Sequence, residues 1–535
     1  MFSLETENVL RAASTQSPPL SPFYERTLGR TELFELASDH ESEFPFWRTT
    51  RKFTGKKRFA WAAPRDDKPP PTVILINLES FRSLEVGVLG GRDKVKQYNQ
   101  TVTPFFDSLA QTGVLFAKHY TPCVQTSRTL LSGIFGILPS LADASAILKK
   151  ALNYTSTFWS AVNLAWEDWH GFLKTNGFDT LVDDDVVLDH LTKEQYDALT
   201  DDDAFSWGRH DAVSFDALTN FLREHQPRRA DAWAAPVFLD VYTVSSHDPW
   251  SVPSTFAPST NYSHYLTSEN EKYVNALNYV DQCLDKFITT LRRERLMDNT
   301  IILIQGDHGY GRMEHGDNPT IVASWVYDVG THVPMMLLAD DLLDDKDKGL
   351  VVEDLTSQTD MLATITDMLG IENFQQHGVG QSMLREQSPE REVVLSNPFY
   401  GQTRGLRVGD LKYARYGSGK YEVYNLTADP LETAPMLAGK LTRNEGGGVH
   451  IGADLDATTA NALRYMEEIE DVVQILYETN GFMPSPEALA LTSAPSADDD
   501  PHRKKIADVV HPKTDVEATE GNATDASQTA APVTA

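Results

Sequence analysis

The stretch "PTVILINLES", residues 71–80, decides the fold. After Pro71 the chain is dominated by β-branched residues and Leu, the composition of a strand covered on both faces in a parallel sheet. The run then stops at Glu79 and Ser80. The same design recurs downstream. "APVFLDVYTVS" (235–245) and "NTIILIQGDHG" (299–309) are buried apolar runs that end in polar residues, and "VPMMLLA" (333–339) is a fourth buried strand.

Helical spacing lies between these runs. "TPFFDSLAQTGVLF" (103–116) has it, with Pro104 suited to a first turn. "EKYVNALNYVDQCLDKFITTLRRERL" (271–296) is a long amphipathic helix, and "LTSQTDMLATITDMLG" (355–370) is a helix closed by Gly370. Strands alternating with helices predict an α/β fold, a mostly parallel sheet sandwiched by helices. In "DLKYARYGSGKYEVYNL" (410–426) two alternating runs flank Gly-Ser-Gly and read as a hairpin, hence a small C-terminal antiparallel sheet region.

The expected organisation is an N-terminal arm over 1–70, partly disordered, and a catalytic domain over 71–435 with a C-terminal subdomain from about 390. A C-terminal helical extension follows over 436–483. A tail over 484–535, rich in Ala, Ser, Thr, Pro and Asp, is expected to be disordered. The arm carries "RTTRKFTGKKR" (48–58), a basic segment suited either to a solvated linker or to an anionic membrane surface.

Asp and Glu outnumber Lys and Arg by 77 to 47, a net charge of -30, which repels polyanions and excludes nucleic acid as a partner. The two cysteines, Cys123 and Cys283, make no zinc-binding or Cys-x-x-Cys pattern and read as isolated thiols. No apolar stretch reaches 18 residues, and the opening "MFSLETENVLRAAS" does not read as a signal peptide. Asn-x-Ser/Thr sequons at Asn99, Asn153, Asn261, Asn425 and Asn522 fit a secreted or lumenal glycoprotein.

In open α/β sheets ligands bind beyond the carboxyl ends of the strands. Glu79 follows "VILINL", and Asp307 and His308 follow "IILIQG". Together they offer two carboxylates and an imidazole, a mixed oxygen and nitrogen set for one divalent ion such as Zn, Mn or Mg. Such an ion needs a group to activate, and "YTPCVQTSRTLLSG" (120–133) offers Thr126, Ser127 and Thr129. The plain alternative is that Thr126 and Ser127 cap a helix. His247, after a buried strand, and His315, in "DHGYGRMEHG", are placed to hold ester oxygens or to protonate a leaving group.

The order of these segments resembles the sulfatase domain of the alkaline-phosphatase superfamily. Within it, the chain is most similar to the lipoteichoic acid synthase-like and phosphoethanolamine transferase-like branch. "PTVILINLESF", "TVTPFFDSLAQTGVLFAKHYTPCVQTSRTLLSG", "FLKTNGFDTLVD", "FLDVYTVSSHDPWSVP", "YVNALNYVDQCLDKF", "NTIILIQGDHG" and "GTHVPMMLLA" match in order across about residues 71 to 435. Formylglycine sulfatases carry Cys-x-Pro-x-Arg, whereas here Gln125 and Ser127 replace Pro and Arg. They also carry an Asp-Asp pair after the first strand, where this chain has Leu78-Glu79-Ser80. The resemblance therefore implies Glu79, Thr126, Asp307 and His308 as ligands of one divalent metal, with Thr126 also the nucleophile. It implies His247 and His315 at the substrate or leaving group, and Cys123 as a bystander.

The implied function is a metal-dependent hydrolase or transferase acting on phosphoesters, diesters above all, through a covalent phosphothreonine. Its substrate would be lipid- or glycan-linked, on the extracytoplasmic, secreted or lumenal face of a membrane. Sulfate-ester hydrolysis on the same scaffold, and a non-catalytic binding protein of this fold, are the alternatives. Bacterial synthases of this branch carry a transmembrane bundle before the catalytic domain, and none is visible here.

Overall fold

The structure, a computed structural model, describes residues 34–37, 48–51, 53, 55–61, 69–90, 101–124, 126, 144–165, 169–175, 177–225, 236–259, 261, 267–310, 326–371, 375–376, 380–389, 391–395, 403–416, 418–443, 449–450, 455–463 and 466. Eight strands make the central sheet: β1 (Thr72–Leu78), β2 (Val114–Tyr120), β3 (Thr155–Ser160), β4 (Thr180–Val182), β5 (Val237–Tyr242), β6 (Thr300–Gly306), β7 (His332–Leu338) and β8 (Leu350–Ser357). Their spatial order is β8-β2-β7-β6-β1-β5-β3-β4. All neighbours are parallel except β7, which is antiparallel to both β6 and β2.

β1 shows why the sequence reads as buried throughout. Its alternating side chains supply two separate cores. Ile74, Ile76 and Leu78 join one cluster, and Val73 and Leu75 join the other. Helices α1 (Pro104–Leu109), α4 (Asp211–His225) and α5 (Ser268–Arg293) cover the first face. Helices α2 (Ala144–Leu152), α3 (Trp169–Thr175) and α6 (Met361–Met368) cover the second. α5 buries Tyr273, Leu277, Val280, Leu284, Ile288 and Leu291, an i, i+3/i+4 stripe. Thr267 caps its start, and Arg292 and Arg293 in its last turn complement the helix dipole.

Several readings shift. The helical spacing of 103–116 breaks at Leu109, and Val114–Tyr120 is instead a strand. The break falls near Gly113, where an added Cβ would press on Leu337 O of β7, so the backbone there must approach another strand. The helix expected over 355–370 begins at Met361, because Leu355–Ser357 still belong to β8. Gly370 follows that helix with φ +68°, as the sequence predicts.

Five antiparallel strands form the C-terminal sheet: β9 (Glu392–Val394), β10 (Arg404–Val408), β11 (Leu411–Arg415), β12 (Lys420–Asn425) and β13 (Leu437–Lys440). The expected hairpin is β11–β12. β13 pairs with β12, so 437–440 is strand rather than the start of a helical extension. Residues 457–463 are helical, and 467–535 lie outside the described residues.

The N-terminal segment is tied to the domain. Arg48–Arg51 pairs with Phe34–Ala37 and with Gln375–Gln376. Phe59 and Trp61 are buried in the second core. In the basic stretch, Arg58 pairs with Asp354 and Lys56 with Glu386, so part of its charge is met within the chain. Among the described residues, no helix is long and apolar enough to cross a membrane.

A polar chain runs across the sheet below its carboxyl end. Thr356 Oγ1 lies 2.9 Å from His119 Nδ1, and His119 Nε2 lies 3.2 Å from Gln305 Oε1. Gln305 Nε2 donates to Asn77 Oδ1 at 2.8 Å, and Asn77 Nδ2 donates to Asp240 Oδ1 at 2.8 Å. Burial pushes the His119 pKa down to about 3, so the ring is neutral and bears its proton on Nε2, facing the Gln305 oxygen. Burial pushes Asp240 up to about 8, and its Oδ2 has no hydrogen-bond partner among the described residues. Asp240 is therefore protonated at neutral pH.

A carboxyl whose pKa is raised on folding stabilises the fold below its unfolded value of about 4 and loses that contribution as pH rises through its folded value. Asp240→Asn keeps the shape and the neutral state. The gap in urea midpoint between this variant and the parent should be smallest near pH 4 and widen in the variant's favour up to pH 8. A pH-independent gap refutes a protonated Asp240.

Candidate active site

β1 and β6 pair in register from Thr72↔Thr300 to Leu78↔Gly306, so both strands end at one level. The next residues, Glu79 and Asp307, emerge side by side. The Asp307 amide donates to Leu78 O at 3.0 Å and continues the ladder by one bond. Glu79, Asp307 and His308 each offer one ligand atom, and these atoms all lie within 4.8 Å of one another. Glu79 and Asp307 are fully or almost fully buried.

Ser80 takes the left-handed region with φ 50°, which turns the chain back over the cluster. Its amide donates to Asp307 Oδ1 at 2.8 Å, and its hydroxyl donates to Glu79 Oε1 at 2.6 Å. Asp307 Oδ1 also accepts from the His308 amide at 2.5 Å, and Tyr242 donates its hydroxyl to Oδ2 at 3.3 Å. Thr243 Oγ1 accepts from the Glu79 amide at 3.0 Å, and Ser246 Oγ donates to Glu79 O at 2.5 Å. Three strand ends thus hold one carboxylate pair.

His308 Nδ1 lies 3.1 Å from Gly309 O. A carbonyl only accepts, so Nδ1 carries the proton and Nε2 keeps its lone pair turned into the cluster. Thr126 completes the group. Its hydroxyl stands 3.2 Å from Glu79 Oε2 and 3.1 Å from His308 Nε2. Residues separated by up to 229 positions, from Glu79 to His308, therefore meet at one point.

The electrostatics suit a cation. Burial raises the Glu79 pKa, and the neighbouring Asp307 charge raises it further. Burial pushes Asp307 up to about 7, and burial lowers His308. Two buried carboxylates resist ionising together, whereas a divalent ion between them reverses that preference. Two oxygens and one imidazole nitrogen at this spacing fit such an ion, and the imidazole favours a transition metal.

His247 sits on the rim, half-buried. Its ring is 4.4 Å from that of Trp207, and its Nδ1 is 2.8 Å from Asp248 O. Its charge lowers the pKa of both Glu79 and Asp307, so it faces the cluster electrostatically. His315, Ser127 and Thr129 lie outside the described residues. Cys123 is wholly buried and Cys283 is buried, and the two are not joined in a disulfide.

Sequence reasoning missed a clamp. Gln358 Nε2 donates to Gly306 O at 2.8 Å and to Asp307 O at 2.6 Å, while its Oε1 accepts from Thr121 Oγ1 at 2.8 Å. It joins the Asp307 turn to the loop that carries Thr126. The polar run after β5, "YTVSS", was a visible signal for Tyr242, Thr243 and Ser246. Gln358 gave none, because β8 before it reads as part of a helix.

A family model described as Sulfatase matches residues 71–371. Arylsulfatase K of Gallus gallus is 24% identical over 443 residues, covering 69% of this chain and 80% of its own. Lipoteichoic acid synthase 1 of Bacillus subtilis is 22% identical over 388 residues, covering 70% of this chain and 54% of its own. A crystal structure of an alkaline phosphatase superfamily protein from Vibrio parahaemolyticus superposes with a TM-score of 0.56 at 17% identity, over 91% of this chain and 98% of that one. That likeness shows the fold.

Gly309 has no room for a side chain. A Cβ there would overlap Val329 O and approach Arg82 Cβ to 2.8 Å. Gly309→Ala should cost about 1–3 kcal/mol of stability, read from the urea midpoint. An unchanged midpoint would show that Val329 does not pack against Gly309 as described.

Proposed function

Since the chain belongs to the sulfatase family, and Thr126 rather than Cys123 meets the carboxylate–imidazole cluster, we propose that it is a metal-dependent phosphoester transferase or hydrolase working through a covalent phosphothreonine. The observation that carries this reading is the Thr126 hydroxyl, 3.2 Å from Glu79 Oε2 and 3.1 Å from His308 Nε2. Cys123, the residue a formylglycine mechanism would need, is fully buried.

Glu79, Asp307, His308 and Thr126 would hold one divalent ion, with Mn, Zn and Mg the candidates. When bound, such an ion supplies positive charge that favours the Thr126 alkoxide and offsets charge on the transferred group. Thr126 Oγ1 gives up its proton toward Glu79 and attacks phosphorus. The Oγ1–P bond forms, and the bond to the leaving alkoxy oxygen breaks. With the His247 Nδ1–H engaged by Asp248 O, the imidazolium form carries its second proton on Nε2 and hands it to that oxygen, leaving neutral His247. Water or an acceptor alcohol then attacks phosphorus and gives its proton to His247; the Oγ1–P bond breaks, and Thr126 Oγ1 takes its proton back from Glu79. His315 is assigned to the same substrate side on the family resemblance.

One ion neutralises a singly charged phosphodiester more completely than a doubly charged monoester. Diesters should therefore outrank monoesters, with a lipid- or glycan-linked group as the natural substrate. Among the sequons, Asn153 and Asn261 are exposed, in keeping with an extracytoplasmic or lumenal setting. Sulfate-ester hydrolysis is the second reading, favoured by the 24% identity with an arylsulfatase.

Thr126→Ala should lower turnover of an aryl phosphodiester at least about a thousandfold with an unchanged far-UV spectrum. Cys123→Ala should keep most of it, and formylglycine at position 123 by mass spectrometry would overturn the assignment. Dialysis against a chelator should abolish turnover, and added Mn²⁺ should restore it. On the metal-loaded enzyme, kcat/KM for matched aryl esters should rank the phosphodiester first. A faster sulfate ester moves the protein to the sulfatase reading, and a faster monoester makes it a phosphatase.

A further inference from the structure

Lys412 is a charged side chain with no solvent exposure, held in the middle of the C-terminal sheet on β11. Its Nζ lies 2.8 Å from Asp328 Oδ1 and 2.8 Å from Glu432 Oε1. Glu432 Oε2 accepts from the Asp328 amide at 2.6 Å, and Tyr120 donates its hydroxyl to Asp328 Oδ2 at 3.1 Å. The Arg407 guanidinium covers the Tyr120 ring at 5.5 Å. A buried ion triad is seldom the most stable way to fill such a space, since apolar side chains of the same size do as well or better. Three charges gathered here, largely away from water, therefore point to something they position.

Asp328 opens the one-turn helix Asp328–Thr331 that leads into β7. Two carbonyls of this turn reach the two halves of the site. Gly330 O accepts from the Gly309 amide at 2.7 Å, and Thr331 O accepts from the Thr121 amide at 2.8 Å. Gly309 O is the group that fixes the His308 ring, and Thr121 starts the loop that carries Thr126. A series of contacts thus joins Lys412 to the backbone beside His308 and to Thr121, five residues before Thr126.

We infer that Lys412, Asp328 and Glu432 form a strut through which the C-terminal sheet positions His308 against Thr126. Lys412 is a positioning residue, since it touches none of the reacting groups. The inference rests on the reading of Glu79, Asp307, His308 and Thr126 as one metal-binding centre, but its primary readout does not.

The test compares the full-length parent with a neutral triad, Lys412→Met/Asp328→Asn/Glu432→Gln, and with Tyr120→Phe, which removes one hydrogen bond and no charge. Amide hydrogen exchange at Gly309 and Thr121 is the primary readout. Both amides should lose protection in the neutral triad, and by a smaller factor in Tyr120→Phe, while β1 and β5 amides keep theirs. Calorimetric titration with Mn²⁺ should show affinity falling about 10- to 100-fold in the neutral triad. The kcat for an aryl phosphodiester should fall with KM little changed. Parental protection of Gly309 and Thr121 in both variants overturns the strut, as does parental Mn²⁺ affinity in a neutral triad that has lost that protection. A parent that binds no Mn²⁺ refutes the metal-centre reading instead, and the exchange data still decide whether the strut exists.

Discussion

The pairing of β1 with β6 is the constraint from which the rest follows. Seven parallel residue pairs, from Thr72↔Thr300 to Leu78↔Gly306, bring two chain segments to a common end. The two carboxylates that follow cannot avoid each other. Everything around them manages that proximity. Ser80 bends into a left-handed conformation to donate twice, Tyr242 donates from β5, and Gln358, the residue after β8, fastens the Asp307 turn. The apolar strands fix the position of the charges, and the charges define what the site is able to bind.

Much of this was legible in the residues. Glu79 and Asp307 stand directly after unbroken apolar runs, and a strand buried on both faces has only its end free for chemistry. The long α5 helix was equally plain, because 26 residues give its stripe time to repeat. Thr126 was different. Three hydroxyls in "TSRT" look alike as residues, and family resemblance was needed to separate them. β2 and β8 were hidden for another reason. Each adjoins a short helix, and the merged stretch has enough apolar residues at i, i+3 and i+4 to read as helix throughout. The contacts that end those helices, such as Gly113 against β7, lie more than 200 residues away in the chain. Local spacing carries no record of them.

The two sheets divide the labour. The central sheet carries Glu79, Asp307, His308 and the loop to Thr126. The C-terminal sheet supplies no member of the cluster. It meets the central sheet through a small apolar cluster of Tyr120, Leu355, Val393 and Leu395 and through the ions around Lys412. Apolar contact secures the position loosely, since it is non-directional. Charge-assisted hydrogen bonds add direction. The second kind of contact adjoins the turn at Asp328, where orientation matters for the site.

The polar chain from Thr356 to Asp240 has a consequence for how this protein tolerates change. Each link donates toward the next: Thr356 to His119, His119 to Gln305, Gln305 to Asn77, Asn77 to Asp240. That polarity fixes the amide orientations of Asn77 and Gln305 and the tautomer of His119. Exchanging one member for a residue of opposite donor and acceptor order leaves two like groups facing each other, unless every later link reverses as well. The five positions, spread over β8, β2, β6, β1 and β5, therefore constrain one another in donor and acceptor order. A substitution that reverses donor and acceptor order at an inner link needs a compensating change at its neighbour, whereas Asp240, the terminal acceptor, can be exchanged alone for a residue that still accepts from Asn77.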